Sequence, residues 1–246
     1  MSSTSEKGHA KNVANFETLI TCCTGYGADY QPSNALLEIG KITPQWQEAK
    51  NLLSNVDTYL TEHNAAVNAR VKVFKPLKKL STKLINSLAS SKAAPETIED
   101  AKGFKRKIDG VRAQKVIPAQ PTPENPAPVD NSISPNQQSI DQMIQHFGRL
   151  IKLLANEPKF KPNEEDLKIP AITALHTEME KVNTLVKQTA VALSSSRIKR
   201  NTALYNLETG LVQTAADIKK YVKSVYEAGS PQYKQISKIQ FRRYKN

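Results

Sequence analysis

The chain states one pattern twice, and that repetition constrains its fold more than any single motif. Shifting residues 30–90 by 130 positions lays Tyr30 on Phe160, Pro32 on Pro162, Leu37 on Leu167 and Ile39 on Ile169. Thr43 then meets Thr173, Val56 meets Val186, Arg70 meets Arg200 and Leu77 meets Leu207, without a gap. A fixed repeat of this kind predicts one architecture built twice.

Apolar residues within each copy step by threes and fours. In the second copy the stripe runs Ile172, Leu175, Met179, Val182, Val186, Thr189, Leu193, then Leu204, Leu207, Leu211, Ala215, Ile218, Val222 and Val225. The first copy keeps the same beat from Ala49 through Leu52, Val56, Tyr59, His63, Ala66, Arg70, Val73, Leu77, Leu80 and Leu84. Such spacing is the seam of packed or coiled helices. The expected fold class is therefore all-α: two tandem repeated helical-bundle modules with long, coiled-coil-like antiparallel helices. Two readings of 43–90 and 171–228 remain, a continuous helix or a hairpin. The unbroken phase favours long helices, kinked at Pro76 in the first copy. Ser194–Ser196 offers a cap for the hairpin alternative.

Residues 111–138 hold six of the 14 prolines and almost no periodic apolar pattern. Proline fixes φ and lacks an amide donor, so this segment reads as an extended linker. Gly110 closes the copy before it. The expected organisation is a first module over 1–110, a proline-rich linker over 111–138, and a second module over 139–246. Ala94-Pro95 and Ser230-Pro231 each place proline where a helix can begin, so a short terminal helix or an extended tail is expected at each.

Arg200-Asn201, Leu204-Tyr205, Gly210-Leu211, Lys220–Val225 and Ser230–Lys234 form a distinctive string. It resembles a pattern of uncharacterised small basic helical proteins from Bacteroidota-type bacteria, over residues 140–243. The first copy departs from it: Pro76 stands at the position of Asn206, and Thr97-Ile98 replaces Tyr233-Lys234. The resemblance implies a bacterial helical protein and brings no activity, cofactor or catalytic residue.

Candidate chemistry is sparse. Cys22 and Cys23 are the only cysteines. Adjacent thiols lack the separated pairs of a metal site, so they read as packing residues in a reducing, cytoplasmic setting. The polar stretch Met1–Asn15 lacks the apolar core of a signal peptide. His9, His63, His146 and His176 show no ligand spacing, and His63 sits on the seam. Gly25-Tyr26-Gly27 reads as a helix stop and Glu164-Glu165-Asp166 as acids before a helix start. The expectation is a non-enzymatic chain with no catalytic residue, cofactor, metal or small-molecule substrate.

The basic clusters rise above that background, in a chain of net charge +12. Arg70, Lys72, Lys75, Lys78 and Lys79 occur with no acid between them. Arg197, Lys199 and Arg200 follow, then Lys219, Lys220, Lys223, Lys234, Lys238, Arg242 and Arg243, against Glu227 alone. Tyr221, Tyr226, Tyr233, Phe241 and Tyr244 interleave with the last group, as backbone-and-stacking binders of nucleic acid require. Arg70 and Arg200 share a seam position, where a buried guanidinium needs a partner: it pairs or snorkels and fixes helix register, which is the favoured reading, or it forms an anion site between helices. The expected function is a structural or protein-interaction helical repeat protein, bound to a protein partner or to itself. Sequence-independent binding of nucleic acid through the basic faces and basic tail is the alternative, and docking on an anionic membrane surface a third reading.

Overall fold

Local chemistry sets where each helix starts and stops. The computed structural model describes residues 4–110 and 139–244, and the segment 111–138 lies outside them. Among the described residues every regular element is helical. The helices are α1 (Thr4–Gly25), α2 (Ile39–Phe74), α3 (Leu77–Ser90), α4 (Pro95–Asp109), α5 (Ile140–Ala155), α6 (Ile169–Tyr205), α7 (Leu211–Tyr226) and α8 (Pro231–Ser237). Ser139 caps α5 by accepting from the Gln142 amide at 3.2 Å, and Ser230 caps α8 by accepting from Tyr233 at 3.1 Å. Pro95 and Pro231 occupy first helical positions, where the missing donor costs nothing. Gly110 ends α4 at φ 71°, the left-handed conformation that glycine accepts without a Cβ penalty.

Neither 43–90 nor 171–228 is one helix. In the first, α2 stops at Phe74 and α3 restarts at Leu77, with Pro76 as its cap residue. In the second, α6 stops at Tyr205. The Asn206 side chain accepts from the amides of Glu208 and Thr209 at 2.9 and 3.0 Å, drawing the chain out of helical register. The Gly210 amide then donates to the Asn206 carbonyl at 3.1 Å. A Cβ on Gly210 would fall 2.5 Å from Asn206 backbone atoms, so only glycine fits this turn. The turn also displaces Leu207 from the seam: it is 76% exposed. Val225 and Tyr59 are likewise exposed, whereas Leu211, Ala215, Ile218 and Val222 are fully buried.

The described residues divide into two compact units. One takes those up to Asn64 together with those from Thr189 onward; the other takes those from Ala65 to Gln188. The division falls inside α2 and α6, so each unit draws on both 1–110 and 139–246. The boundaries expected from the repeat therefore differ from those of the compact units. The physical reason is length: at 36 and 37 residues, α2 and α6 run about 55 Å each, more than one small bundle covers.

In the first unit α7 packs on α1 and α8. Its core joins Phe16, Leu19 and Cys23 to Ile42, Leu204, Leu211, Ile218 and Ile236. In the second unit α4 packs against α3 and α5, around Leu84, Leu88, Ile108, Phe147, Leu150 and Met179. Residues 130 apart share burial at several points: Tyr30 with Phe160, Leu37 with Leu167, Ile42 with Ile172 and Val56 with Val186. None of the described helices is long and apolar enough to cross a membrane.

Candidate functional site

The basic residues singled out in the sequence divide into two groups with different surroundings. In the second unit, Arg70 donates from Nη1 to Asn183 Oδ1 at 3.1 Å. Buried Asn183 donates in turn to Asp141 Oδ1 at 2.8 Å, and Lys187 reaches the same oxygen at 2.7 Å. The hydrogen bond from Lys187 holds the Asp141 carboxyl below the usual carboxylate range. Arg70 thus has the partner its seam position requires. Lys78 donates to the Asp109 carbonyl at 3.1 Å, while Lys72, Lys75 and Lys79 are exposed.

In the first unit, Arg200 is buried and directs Nε and Nη2 to Asn201 Oδ1 at 3.1 and 2.9 Å. Arg197 and Lys199 lie exposed on α6. Lys219 donates to the Ile239 carbonyl and to that of Ser237 at 3.5 Å, beneath the Phe241 ring at 5.5 Å. Desolvation lowers its pKa. Lys220 pairs with Asp217 at 2.9 Å, and Lys223 lies 5.9 Å from the Tyr233 ring centroid. Burial alone would raise the Asp217 pKa, but the hydrogen bonds from Lys220 and Gln213 outweigh it. Arg243 donates to Gln213 Oε1 at 2.7 Å and to the Tyr205 carbonyl at 3.5 Å. Lys234, Lys238 and the Arg242 side chain are exposed. The stretch read as a basic tail is held against the unit, and Lys219 and Arg243 help to hold it.

What holds it most firmly was not singled out in the sequence. Residues 239–244 carry no regular secondary structure and run beside α1. Buried Asn12 donates from Nδ2 to the Arg242 carbonyl at 2.7 Å and accepts from the Arg242 amide at 3.0 Å. Asn15, one turn on, donates to the Gln240 carbonyl at 2.6 Å. Asn12 also donates to the Tyr205 hydroxyl at 3.3 Å, which lies 2.5 Å from His9 Nδ1. Phe241 meets Phe16 edge-on at 6.4 Å, and Tyr244 meets His9 edge-on at 5.1 Å. Gly8 makes that last approach feasible, since a Cβ there would stand 1.7 Å from the Tyr244 hydroxyl oxygen. No sequence signal links the asparagines of α1 to residues 239–244, which lie 225 to 230 positions away.

The second unit has a groove of about 550 Å3 lined by Asp141, Arg149, Lys152, His176, Glu180 and Lys187. His176 Nε2 lies 3.2 Å from the Ile144 carbonyl, and Nδ1 lies 3.7 Å from a Glu180 carboxylate oxygen. Gly148 lets the ring lie this close to α5, because a Cβ there would be 2.7 Å from Nε2. A second cavity of about 620 Å3 brings Lys83, Lys159 and Lys161 together with Asp166, which pairs with Lys83 at 2.8 Å. Those three lysines were not among the expected site residues; Lys83 stands 76 positions from Lys159 and 78 from Lys161, and no local pattern links it to them.

The remaining candidates behave as packing groups. Burial pushes the Cys23 thiol up to about 12, which leaves it protonated and unreactive near neutrality. His63 sits 3.1 Å from the Thr189 hydroxyl. His146 is 3% exposed, and neither ring nitrogen has a hydrogen-bond partner among the described residues. Among the described residues, no group of three or more His, Cys, Asp or Glu is placed to hold a metal ion.

No protein-family model matches the chain, and no curated protein or solved structure matches it either.

Proposed function

We propose that the chain is a non-enzymatic helical interaction protein that docks a partner helix on the outer face of α6. One observation carries this reading. Within the first unit, Val191 and Ile198 stand one heptad apart on α6, 66% and 63% exposed, on the side away from the core. Ser194, Ser195 and Thr202 share that stripe, and it carries no charge. In a chain where charged residues make up 24%, an uncharged stripe of β-branched and small residues fits a helical neighbour better than water. The repeat reading belongs to the same proposal: two copies of one architecture, each supplying half of each unit, supported by the matched burial of residues 130 apart.

Copurification from the native cell tests it, with and without nuclease and with a Val191→Glu/Ile198→Glu variant. Both positions are exposed, so the variant keeps its fold. A partner retained after nuclease and lost in the double variant supports the proposal. A partner released by nuclease and indifferent to the variant overturns it.

The polyanion alternative has its own support in Lys72, Lys75 and Lys79, exposed at spacings of three and four at the end of α2 and the start of α3. It predicts a gel shift on nucleic acid that weakens steeply with salt, about one decade of slope per phosphate contact. Charge reversal at these lysines abolishes that shift.

A further inference from the structure

We infer that the face of the first unit formed by α1 and α7 is a peptide-recognition groove, which residues 239–244 occupy in cis. The ligand it fits is an extended polypeptide segment with apolar or aromatic residues at alternate positions and an aromatic three residues further on.

The argument rests on what is recognised. Asn12 reads both the amide and the carbonyl of residue 242, and Asn15 reads the carbonyl of residue 240. Lys219 of α7 takes the carbonyl of residue 239 from the other side. All four are main-chain groups of the bound segment, so the bonds are open to many sequences, as in other modes of extended-peptide recognition. Selectivity comes from the side chains turned inward. Ile239 and Phe241 pack against the core, with Phe16 and the Lys219 ammonium at the Phe241 ring, and Tyr244 seats on His9 over Gly8. Gln240, Arg242 and Arg243 are exposed between them.

The second half of the argument concerns release. Residues 239–244 belong to no helix, so they can leave without melting any element. What they leave behind keeps one anchor of its own: Asn12 donates to the Tyr205 hydroxyl, which lies against His9. A bound segment tethered to its own site competes at an effective concentration in the millimolar range, so a free peptide gains access when the tether is weakened. This groove lies on other elements than the outer face of α6, and the Val191→Glu/Ile198→Glu variant leaves it untouched.

The test uses the full chain and a fluorescein-labelled synthetic peptide of residues 238–244. Phe241→Ala in the chain weakens the cis segment and leaves the groove intact. The peptide is expected to bind this variant at least tenfold more tightly than the unaltered chain, and Asn12→Ala added to it removes at least tenfold. Two altered peptides separate main-chain from side-chain reading. Replacing Arg242 by alanine in the peptide leaves affinity within twofold. Replacing it by proline, which lacks the amide that Asn12 accepts from, lowers affinity about tenfold. Failure of the peptide to bind the Phe241→Ala chain while its helical circular dichroism is retained overturns the proposal. Should that variant unfold, Arg242→Pro in the chain weakens the cis segment by one hydrogen bond and takes its place. Equal loss for the alanine and proline peptides also overturns it.

Discussion

Gly8 and Tyr244 show how one missing methyl group decides where the end of the described chain lies. Alanine in place of a glycine inside a helix normally stabilises by roughly 0.5–1 kcal/mol. At Gly8 that gain is opposed, because the new Cβ would lie 1.7 Å from the Tyr244 hydroxyl oxygen and 2.1 Å from its ring carbon. All the atoms met belong to the outer end of the Tyr244 side chain, so the clash is relieved by unseating that ring at the cost of its contacts with His9 and Tyr205. Gly8→Ala is therefore expected to stabilise the chain less than the same change does in a Tyr244→Ala background. A double-mutant cycle of urea midpoints checks the difference. Additive effects of the two substitutions would show that Tyr244 is not seated on α1.

At the scale of the element, α5 carries an uncompensated group. His146 is buried with both nitrogens unpartnered, and desolvation, then Lys107 on α4 and Arg149 on α5, lowers its pKa below the ordinary 6.5. The native state thus binds this proton less readily than the unfolded chain. The histidine costs nothing extra above about pH 6.5; the penalty grows as pH falls through that value and levels off below the lowered native pKa. Urea unfolding of the chain and of His146→Leu between pH 5 and 8 is the check. The leucine variant is expected to be more stable at pH 7 by about 1 kcal/mol, since it removes two unsatisfied groups, and flatter below pH 6.5. Parallel pH profiles would contradict this.

The elements also show which features were legible beforehand. Helix starts at Pro95 and Pro231 and the stop at Gly110 follow from backbone chemistry confined to one residue, and all three stand where that chemistry puts them. The break at Asn206 was not foreseen, because apolar phase continues through Leu207 while an asparagine side chain captures two amides. The clasp of Asn12 and Asn15 on residues 240–242 was hidden for another reason. It joins positions 225–230 apart, and hydrogen bonds from side chain to main chain leave no periodicity on either side. The basic residues were visible, but composition does not reveal that Lys219 and Arg243 serve carbonyls of their own chain.

For the whole molecule, the consequence follows from the division inside α2 and α6. The first unit joins α1 and the start of α2 to the end of α6, α7 and α8; the second joins the end of α2, α3 and α4 to α5 and the start of α6. Neither 1–110 nor 139–246 contains a complete core, because Phe16 packs with Leu211 and Ile218, and Leu84 with Phe147 and Met179, in clusters that span both. Cutting the chain between them removes one covalent link, and each cluster keeps its residues as long as both halves stay together. The most direct measurement introduces a protease site between residues 120 and 121, cleaves the folded protein, and determines mass by size exclusion with light scattering under native conditions. The account predicts that the two fragments remain together at the native mass of the uncut protein and separate only in denaturant. Two fragments that part under native conditions, each still helical and cooperatively folded, would contradict it.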